Sequence, residues 1–333
     1  MNTPDSLNVM FLIPPMGAAR ELSISGLNAL SNILPDQVDS FDYKAYLEGY
    51  TNLLKIADDD LIADMIGQSL LTKVIEKKSE VVIVTALCPL SNYFISLFKS
   101  LKIKTALWYY EDYRTVPFWQ QSISHYDFFF GIQKGQLESS FLNSTTQFHF
   151  LPNAAQSIPN TIPSLNSRSF DLSFIGIPSE YRITFIEELI SKGIKVAIAG
   201  KGWNEVNNPV LQPFIIDGNW VNPTKAFSIY SSSKFGLNLS VSPPKSNLDQ
   251  NQVSPRAFDI ISSGAYLITE RSILNSISMT DLSYGEVTSP NEAIQIIKSD
   301  INIESHIQKN MASIINKHSL EHRMQYMIEA ITK

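Results

Sequence analysis

The sequence predicts an α/β fold of two doubly wound parallel-sheet domains. Three observations carry this. At 333 residues the chain exceeds the size at which one hydrophobic core usually keeps growing. Short apolar runs alternate with segments of helical periodicity, as in successive β-α-β units. The alternation breaks at residues 157–168, where Pro, Ser and Asn follow one another without periodicity, and then restarts. The expected domains are therefore 1–155 and 156–315, with a last helical segment at 316–333.

Residues 8–13 open the chain as a buried strand, Asn-Val-Met-Phe-Leu-Ile, ended by Pro14 and Pro15. A small-residue loop, Met16-Gly17-Ala18-Ala19-Arg20, leads into a helix with Ile24, Leu27, Leu30, Ile33 and Leu34 at helical spacing. The loop holds one glycine, Gly17, and no Gly-x-Gly-x-x-Gly, so the dinucleotide fingerprint is absent. Gly17 is expected to let a ligand approach the end of the first strand. A helix at 57–77, a strand at 81–85, a helix at 91–101 and a strand at 103–108 follow. The next residues, Tyr109-Tyr110-Glu111-Asp112-Tyr113-Arg114, stand at a strand's carboxyl end, where open α/β sheets bind ligands. Glu111 and Asp112, flanked by aromatic rings, could hold sugar hydroxyls or act as a general base. A solvated loop capping the next helix is the plainer alternative. His125, before the strand at 126–132, is a reserve base, although a lone histidine there is more often a packing or capping residue. The half closes with a strand at 147–151.

The second half restarts with a strand at 171–175. Gly176 and Arg182 then flank the start of a helix at 182–192, an arrangement suited to an anion. A strand at 194–199 ends in Gly200-Lys201-Gly202-Trp203. A short strand and turn at 214–221, a helix at 224–232 and a strand at 235–239 follow. The polar loop at 240–253 is long enough to suggest function. It delivers the chain to the stretch on which the site reading centres, 254–270. Pro255 suits a first helical turn. Ala257, Phe258, Ile260 and Ile261 form an apolar face, and Gly264 stands where a C-terminal cap with positive φ is expected. A short strand at 265–269 ends the stretch. Arg256 and Asp259 lie one turn apart on the loop side of this helix. Together they suit an anion and a sugar hydroxyl pair, or else form an i,i+3 ion pair that only supports the helix. Helices at 290–298 and 303–317 follow, and Leu320, Met324, Met327 and Ile328 make a core stripe in the last one.

Composition narrows the class. A net charge of −6 does not point to a nucleic-acid backbone, which favours a basic surface. The one cysteine, Cys88, adjoins an apolar run and reads as a buried, inert thiol, so no disulfide framework or cysteine metal site is available. Residues 1–6 lack a basic and apolar leader, and no apolar run reaches about 18 residues, so a cytoplasmic protein without a membrane span is expected. No metal is expected either.

Four blocks of the second half, in order, resemble the CgeB-like (spore-maturation-protein-like) glycosyltransferases, a branch of the GT-B superfamily related to glycosyltransferase family 4. They are Asp171-Leu172-Ser173-Phe174-Ile175-Gly176 with Arg182; Gly200-Lys201-Gly202-Trp203; Pro255-Arg256-Ala257-Phe258-Asp259 through Gly264 to Thr269-Glu270; and His318 through Arg323. The loop at 109–113 and Leu151-Pro152-Asn153-Ala154 match more faintly. The resemblance implies two Rossmann-like domains facing each other across a cleft, with a last helix that crosses back onto the first. It implies a donor, a nucleoside-diphosphate sugar, bound mainly by the second domain. Asp259 would take the donor ribose, with Asp where the family usually has Glu. Arg256 and Arg182 would face the diphosphate beside Gly176, and Gly218, Asn219 and Trp220 would read the base. The earlier member of the family-4 Glu-x7-Glu pair falls on Asn251, with Asp249 nearby. The implied activity is metal-independent glycosyl transfer to an acceptor hydroxyl, with no cofactor beyond the donor and a nucleoside diphosphate as product. A non-catalytic nucleotide-sugar binding or scaffold module is the alternative. The acceptor is open, a modified nucleobase included.

Overall fold

The computed structural model describes residues 7–88, 90–114, 116–117, 119–159, 161–243, 254–270 and 280–333. The chain forms two compact units, 1–152 with 320–333, and 153–319.

In the first unit, apolar runs with no polar alternation become strands buried on both faces, as parallel sheets require. They are β1 (Val9–Ile13), β3 (Val81–Thr85), β4 (Lys104–Tyr109) and β5 (Phe128–Gly131), with every residue of β1 and β3 buried. The edges are β2 (Val38–Asp42) and β6 (Gln147–Phe150), where only Phe41 is fully covered. All pairings are parallel, in the order β2-β1-β3-β4-β5-β6. Strand order reverses between β1 and β3, which makes their carboxyl ends the switch point. Helices α1 (Gly17–Ile33), α2 (Tyr43–Glu48), α3 (Asp59–Glu76), α4 (Asn92–Ser100), α5 (Trp119–Ser122) and α6 (Gln136–Ser139) complete the unit's first segment. The helix α12 (Leu320–Thr332) also belongs here and packs on α1. Its apolar stripe of Leu320, Met324, Met327 and Ile328 is buried, and Arg323 Nε donates to the Pro152 carbonyl at 2.8 Å. Cys88 is 1% exposed, and burial pushes its thiol up to about 12, which suppresses the nucleophilic thiolate.

The second unit repeats the architecture. Its strands are β7 (Phe170–Ile175), β8 (Val196–Ala199), β9 (Ile215–Asp217), β10 (Ser233–Asn238), β11 (Tyr266–Glu270) and β12 (Gly285–Val287). They form one parallel sheet in the order β12-β11-β10-β7-β8-β9. Order reverses between β7 and β10, so Gly176 and Asn238, at or just past their carboxyl ends, mark this unit's switch point. The connecting helices are α7 (Glu180–Ser191), α8 (Pro223–Ser231), α9 (Pro255–Ser262), α10 (Pro290–Lys298) and α11 (Ile303–Lys317).

Helix α9 is held in place from both ends. Ser254 Oγ accepts from the Arg256 amide at 3.3 Å, and Pro255 occupies the first turn. At the other end the Gly264 amide donates to Ile261 at 2.9 Å and the Ala265 amide to Ile260 at 3.2 Å, a Schellman closure that needs the φ of +75° Gly264 supplies. Phe258, Ile260 and Ile261 are buried, contributing about 1.5–3 kcal/mol each. Gly236 lets the helix approach the sheet: a Cβ there would lie 2.5 Å from Ile260.

Candidate functional site

The carboxyl edge of the second sheet gathers Gly176, Gly200, Gly218, Asn238 and Glu270, each at or just after the end of its strand. The loops after β7 and β8 brace each other. Gly200 has φ +133°, and a Cβ on it would sit 2.3 Å from the Gly176 oxygen. Trp203, fully buried, donates from Nε1 to that same oxygen at 2.7 Å. The Gly-x-Gly-Trp turn therefore fixes the β7 loop. Gly176 is small for a second reason: a Cβ there would lie 3.3 Å from Arg256 Nη2 and 3.4 Å from Arg182 Nη1. Two guanidinium groups thus share the switch point, both over the ring of Phe174, at 5.3 Å for Arg182 and 5.9 Å for Arg256.

The two arginines have different occupations. Arg182 is 3% exposed and donates to three carbonyls: Ser240 from Nε at 3.0 Å, Ile177 from Nη1 at 2.9 Å and Leu239 from Nη2 at 2.6 Å. Burial first, and then the neighbouring Arg256 charge, lower its pKa to about 10. Arg182, expected to face a diphosphate, uses these hydrogen bonds to tie the β7 loop to the residues just past β10, which is a bracing role. Glu270, 2% exposed, grips the same segment: it accepts from the Ser240 amide at 2.8 Å, the Ser240 hydroxyl at 2.5 Å and the Tyr181 hydroxyl at 3.0 Å. Arg256 is only partly buried. Its Nη1 donates to Asn238 Oδ1 at 3.1 Å and to the Leu239 carbonyl at 3.4 Å, while Nε and Nη2 have no hydrogen-bond partner among the described residues. Its bonds run to β10 and not to Asp259, so the i,i+3 pair is not what the side chain makes. The first amides of α9 are already in use: Arg256 N bonds Ser254 Oγ, and Ala257 N bonds the Ser254 carbonyl at 3.0 Å. What this end of α9 presents is therefore its dipole and the Arg256 guanidinium, not free amides.

Asp259 lies one turn further along, where α9 meets the start of α8 and residues 156–157. Gln156, which no motif or periodicity in the sequence singles out, donates from Nε2 to Asp259 Oδ2 at 3.1 Å. Burial raises the Asp259 pKa to about 7, against the opposing effects of Gln156 and Arg256. Pro223, Phe227, Ser262 and Ser263 share a crevice of about 10 Å³ with this carboxylate, room for about one water. At the end of β9, Asp217 Oδ1 accepts from the Asn219 amide at 2.8 Å, and its other oxygen pairs with Lys225, which lowers its pKa. Gly218 is tucked against Asn204, where a Cβ would lie 2.0 Å from Oδ1. In the turn so formed, Trp220 is 51% exposed. Asn251 and Asp249 lie outside the described residues, as does most of the 240–253 loop.

In the first unit, Gly17 opens α1 with φ +73° and open space around its Cβ position. Arg20 fixes this loop by a bidentate bond to Asp42, 2.7 Å in each arm, and by donating to the Pro14 carbonyl at 3.1 Å. Glu111 follows β4 at the same sheet edge. The preceding Tyr110 is anchored by its hydroxyl, 2.8 Å from Ser23 Oγ, 3.2 Å from the Ala19 carbonyl and 3.1 Å from that of Ala86. Burial, then the charge of Asp112, raises the Glu111 pKa. Asp112 behaves oppositely. Burial works to raise its pKa, but Arg114 outweighs that with bonds of 2.9 Å from N, 2.9 Å from Nε and 2.6 Å from Nη2, and holds it low. The structure thus separates the two carboxylates into one proton-accepting candidate and one clamped ion. His125 precedes β5, at the amino edge of the parallel sheet, with Nδ1 3.5 Å from Ser96 Oγ. The strand direction puts it at the opposite edge from Gly17 and Glu111, which removes it as their partner. Among the described residues no three His, Cys, Asp or Glu side chains gather as a metal site. The Asp58-Asp59-Asp60 run, an Asp-x-Asp spacing, caps α3, with Asp58 Oδ1 accepting from the Leu61 amide at 3.0 Å. No described helix is long and apolar enough to cross a membrane.

Residues 182–329 match a family model described as glycosyl transferase-like. No curated protein matches the sequence. Solved structures are similar over nearly the whole chain. A sucrose-phosphate synthase from Thermosynechococcus elongatus aligns with a TM-score of 0.65 at 9% identity, covering 98% of both chains. An α,α-trehalose-phosphate synthase (UDP-forming) from Burkholderia vietnamiensis gives 0.58 at 10% identity, with 98% of each chain covered. A UDP-GlcNAc 2-epimerase from Neisseria meningitidis, solved with UDP-GlcNAc bound, gives 0.52 at 12% identity over 98% of this chain and all of that one (100%). At these identities the likeness establishes the fold: two doubly wound α/β units of the GT-B class, with a glycosyl transferase-like region across most of the second unit.

Proposed function

We propose that this chain transfers a sugar from a nucleoside-diphosphate sugar to an acceptor hydroxyl. The observation that carries the reading is Arg256, which stands at the switch point of the second sheet with Nε and Nη2 unpartnered among the described residues and a second guanidinium, that of Arg182, beside it. A cation so placed fits a diphosphate. Asp259 would accept from the ribose hydroxyls, and the 217–220 turn, with its exposed Trp220, would hold the base. Gly176 would let the diphosphate approach the sheet.

The chemistry follows from where charge develops. The bond from the anomeric carbon to the β-phosphate oxygen breaks, its electron pair stays on the phosphate, and Arg256 with the α9 dipole stabilises the oxyanion without calling on a metal. The acceptor oxygen bonds the anomeric carbon as its proton leaves. For an inverting transfer that proton goes to a base, and Glu111, with its raised pKa, fits the role better than Asp112.

The test is a thermal-shift panel of UDP, GDP, dTDP, ADP and CDP on the wild type and on Arg256→Ala, since a ligand of the native state raises apparent stability. UDP comes first, because one structural neighbour is named as UDP-forming and another was solved with UDP-GlcNAc. A shift with one nucleotide, lost in the variant, supports the reading. No shift with any of them, in a protein that unfolds cooperatively, overturns it. Slow hydrolysis of the matching donor without acceptor then separates an enzyme from a binding scaffold.

A further inference from the structure

Arg256 reaches its place on a long, flexible side chain, and something must hold the guanidinium there if it is to meet a diphosphate. The parallel ladder supplies a partner. Asn238, the last residue of β10, stands directly across from Thr269 of β11, and its side chain is buried at 3% exposure. Its Nδ2 donates to Thr269 Oγ1 at 3.0 Å and its Oδ1 accepts from Arg256 Nη1 at 3.1 Å. The amide can be oriented only one way, because the flipped amide would set an NH2 against a guanidinium that offers nothing but donors. On the other side of Arg256, Gly176 leaves room for Nη2. The guanidinium is therefore aimed by the Asn238 amide oxygen, with the Leu239 carbonyl as a longer second acceptor at 3.4 Å, and accommodated by one missing side chain.

We infer that Asn238 is a positioning residue for an anion site at Arg256. This rests on the donor reading above for the identity of the anion, but not for the positioning itself. A neutral amide suits this role, since it gives Arg256 a fixed acceptor and leaves the positive charge uncancelled. An aspartate in the same place would fix the guanidinium equally well and neutralise it. Thr269 acts one step further back, by fixing the amide.

Two readouts test this on the full-length protein. In 15N spectra of arginine-labelled protein, with Arg256 assigned by its loss in Arg256→Ala, an anchored guanidinium shows distinct Nη1 and Nη2 signals. Asn238→Ala should average them, whereas Asn238→Asp should keep them distinct. UDP affinity by calorimetry should fall about tenfold in Asn238→Ala, the worth of one hydrogen bond to a charged group. It should fall in Asn238→Asp as well, despite the retained order, and Asn238→Ala should cost nothing further in the Arg256→Ala background. Should Asn238→Ala fail to fold, Thr269→Val carries the same two measurements. Arg256 signals unchanged in Asn238→Ala and Thr269→Val, or additive losses in the double variant, would overturn the inference. A wild type that binds no nucleoside diphosphate, with Arg256 signals that still average in Asn238→Ala, upholds the positioning and overturns the donor reading instead.

Discussion

Gln156 Nε2 donates to Asp259 Oδ2 at 3.1 Å, yet burial pushes the pKa of this carboxyl group up from 3.8 to about 7. Burial is the main cause, so the fold favours the protonated form. In the native state the group therefore holds its proton between about pH 4 and 7, where the unfolded chain has released it. Stability contributed by this group is present below about pH 4 and is lost as pH rises to about 7. A ribose diol needs the opposite form, a carboxylate that accepts hydrogen bonds. Affinity for the nucleoside diphosphate should rise as pH increases through about 7, and Asp259→Asn should remove that dependence while flattening the melting temperature of the free protein across the same window. Calorimetric titrations at pH 5.5 to 8.5 check it. An unaltered pH dependence in Asp259→Asn would show that another group controls binding.

Arg182 should behave as a brace. Its removal leaves the carbonyls of Ile177, Leu239 and Ser240 without their shared donor and opens a buried cavity beside Phe174. Arg182→Met is expected to destabilise the protein by about 3 kcal/mol, a drop in melting temperature on the order of 10 °C. Nucleotide affinity of the protein that remains folded should fall less than in Arg256→Ala. Denaturant melts alongside calorimetry decide between the two roles, and the reverse ranking of the affinities would restore Arg182 to the diphosphate.

The contrast between these arginines shows how far the sequence reaches. Strands β1, β3, β5 and β8 are legible because every residue in them is buried, which favours unbroken apolar runs. Strand β2 is not legible, since an edge strand reading Val-Asp-Ser-Phe-Asp buries only Phe41 fully. Gly176, Gly200 and Gly218 of the second unit stand at the carboxyl ends of its strands, because the chain turns there. The division of labour among the polar and charged residues depends on partners that spacing does not reveal. Arg182 finds Ser240 at 58 positions' distance, Gln156 finds Asp259 at 103, and Asn238 finds Thr269 at 31. Glu111 and Asp112, adjacent in sequence, differ chiefly through the clamp that Arg114 closes on the second, to which Gln133 adds a hydrogen bond.

The Gly200 turn offers a test of the scaffold apart from any ligand. A Cβ at this position would lie 2.3 Å from the Gly176 oxygen and 2.8 Å from its carbon, both backbone atoms that cannot swing aside, and φ of +133° is strained for any other residue. Gly200→Ala is expected to cost about 3 kcal/mol. Gly193, with φ +84° but open space around its Cβ position, should tolerate alanine better. Chemical denaturation of both variants measures the difference, and equal losses would mean that backbone strain, not the close approach of the two loops, dominates at Gly200.

Glu111 and Asp112 should separate most clearly in catalysis. A general base must be unprotonated yet basic enough to take a proton, and a pKa raised by burial moves a carboxylate toward that condition. Glu111 has this environment, and Tyr110 holds the backbone that carries it by three hydroxyl contacts. Asp112 is held low by Arg114, so its lone pairs are engaged and its basicity reduced. Once a donor and acceptor pair is found, Glu111→Gln should lower kcat by about 10²–10⁴-fold with little change in nucleotide affinity. Asp112→Asn should act mainly through the conformation of its loop and lower kcat much less. The acid limb of the wild-type pH–rate profile should lie above that of an ordinary glutamate and disappear in Glu111→Gln. A profile that keeps its acid limb in that variant would assign the proton to a different group.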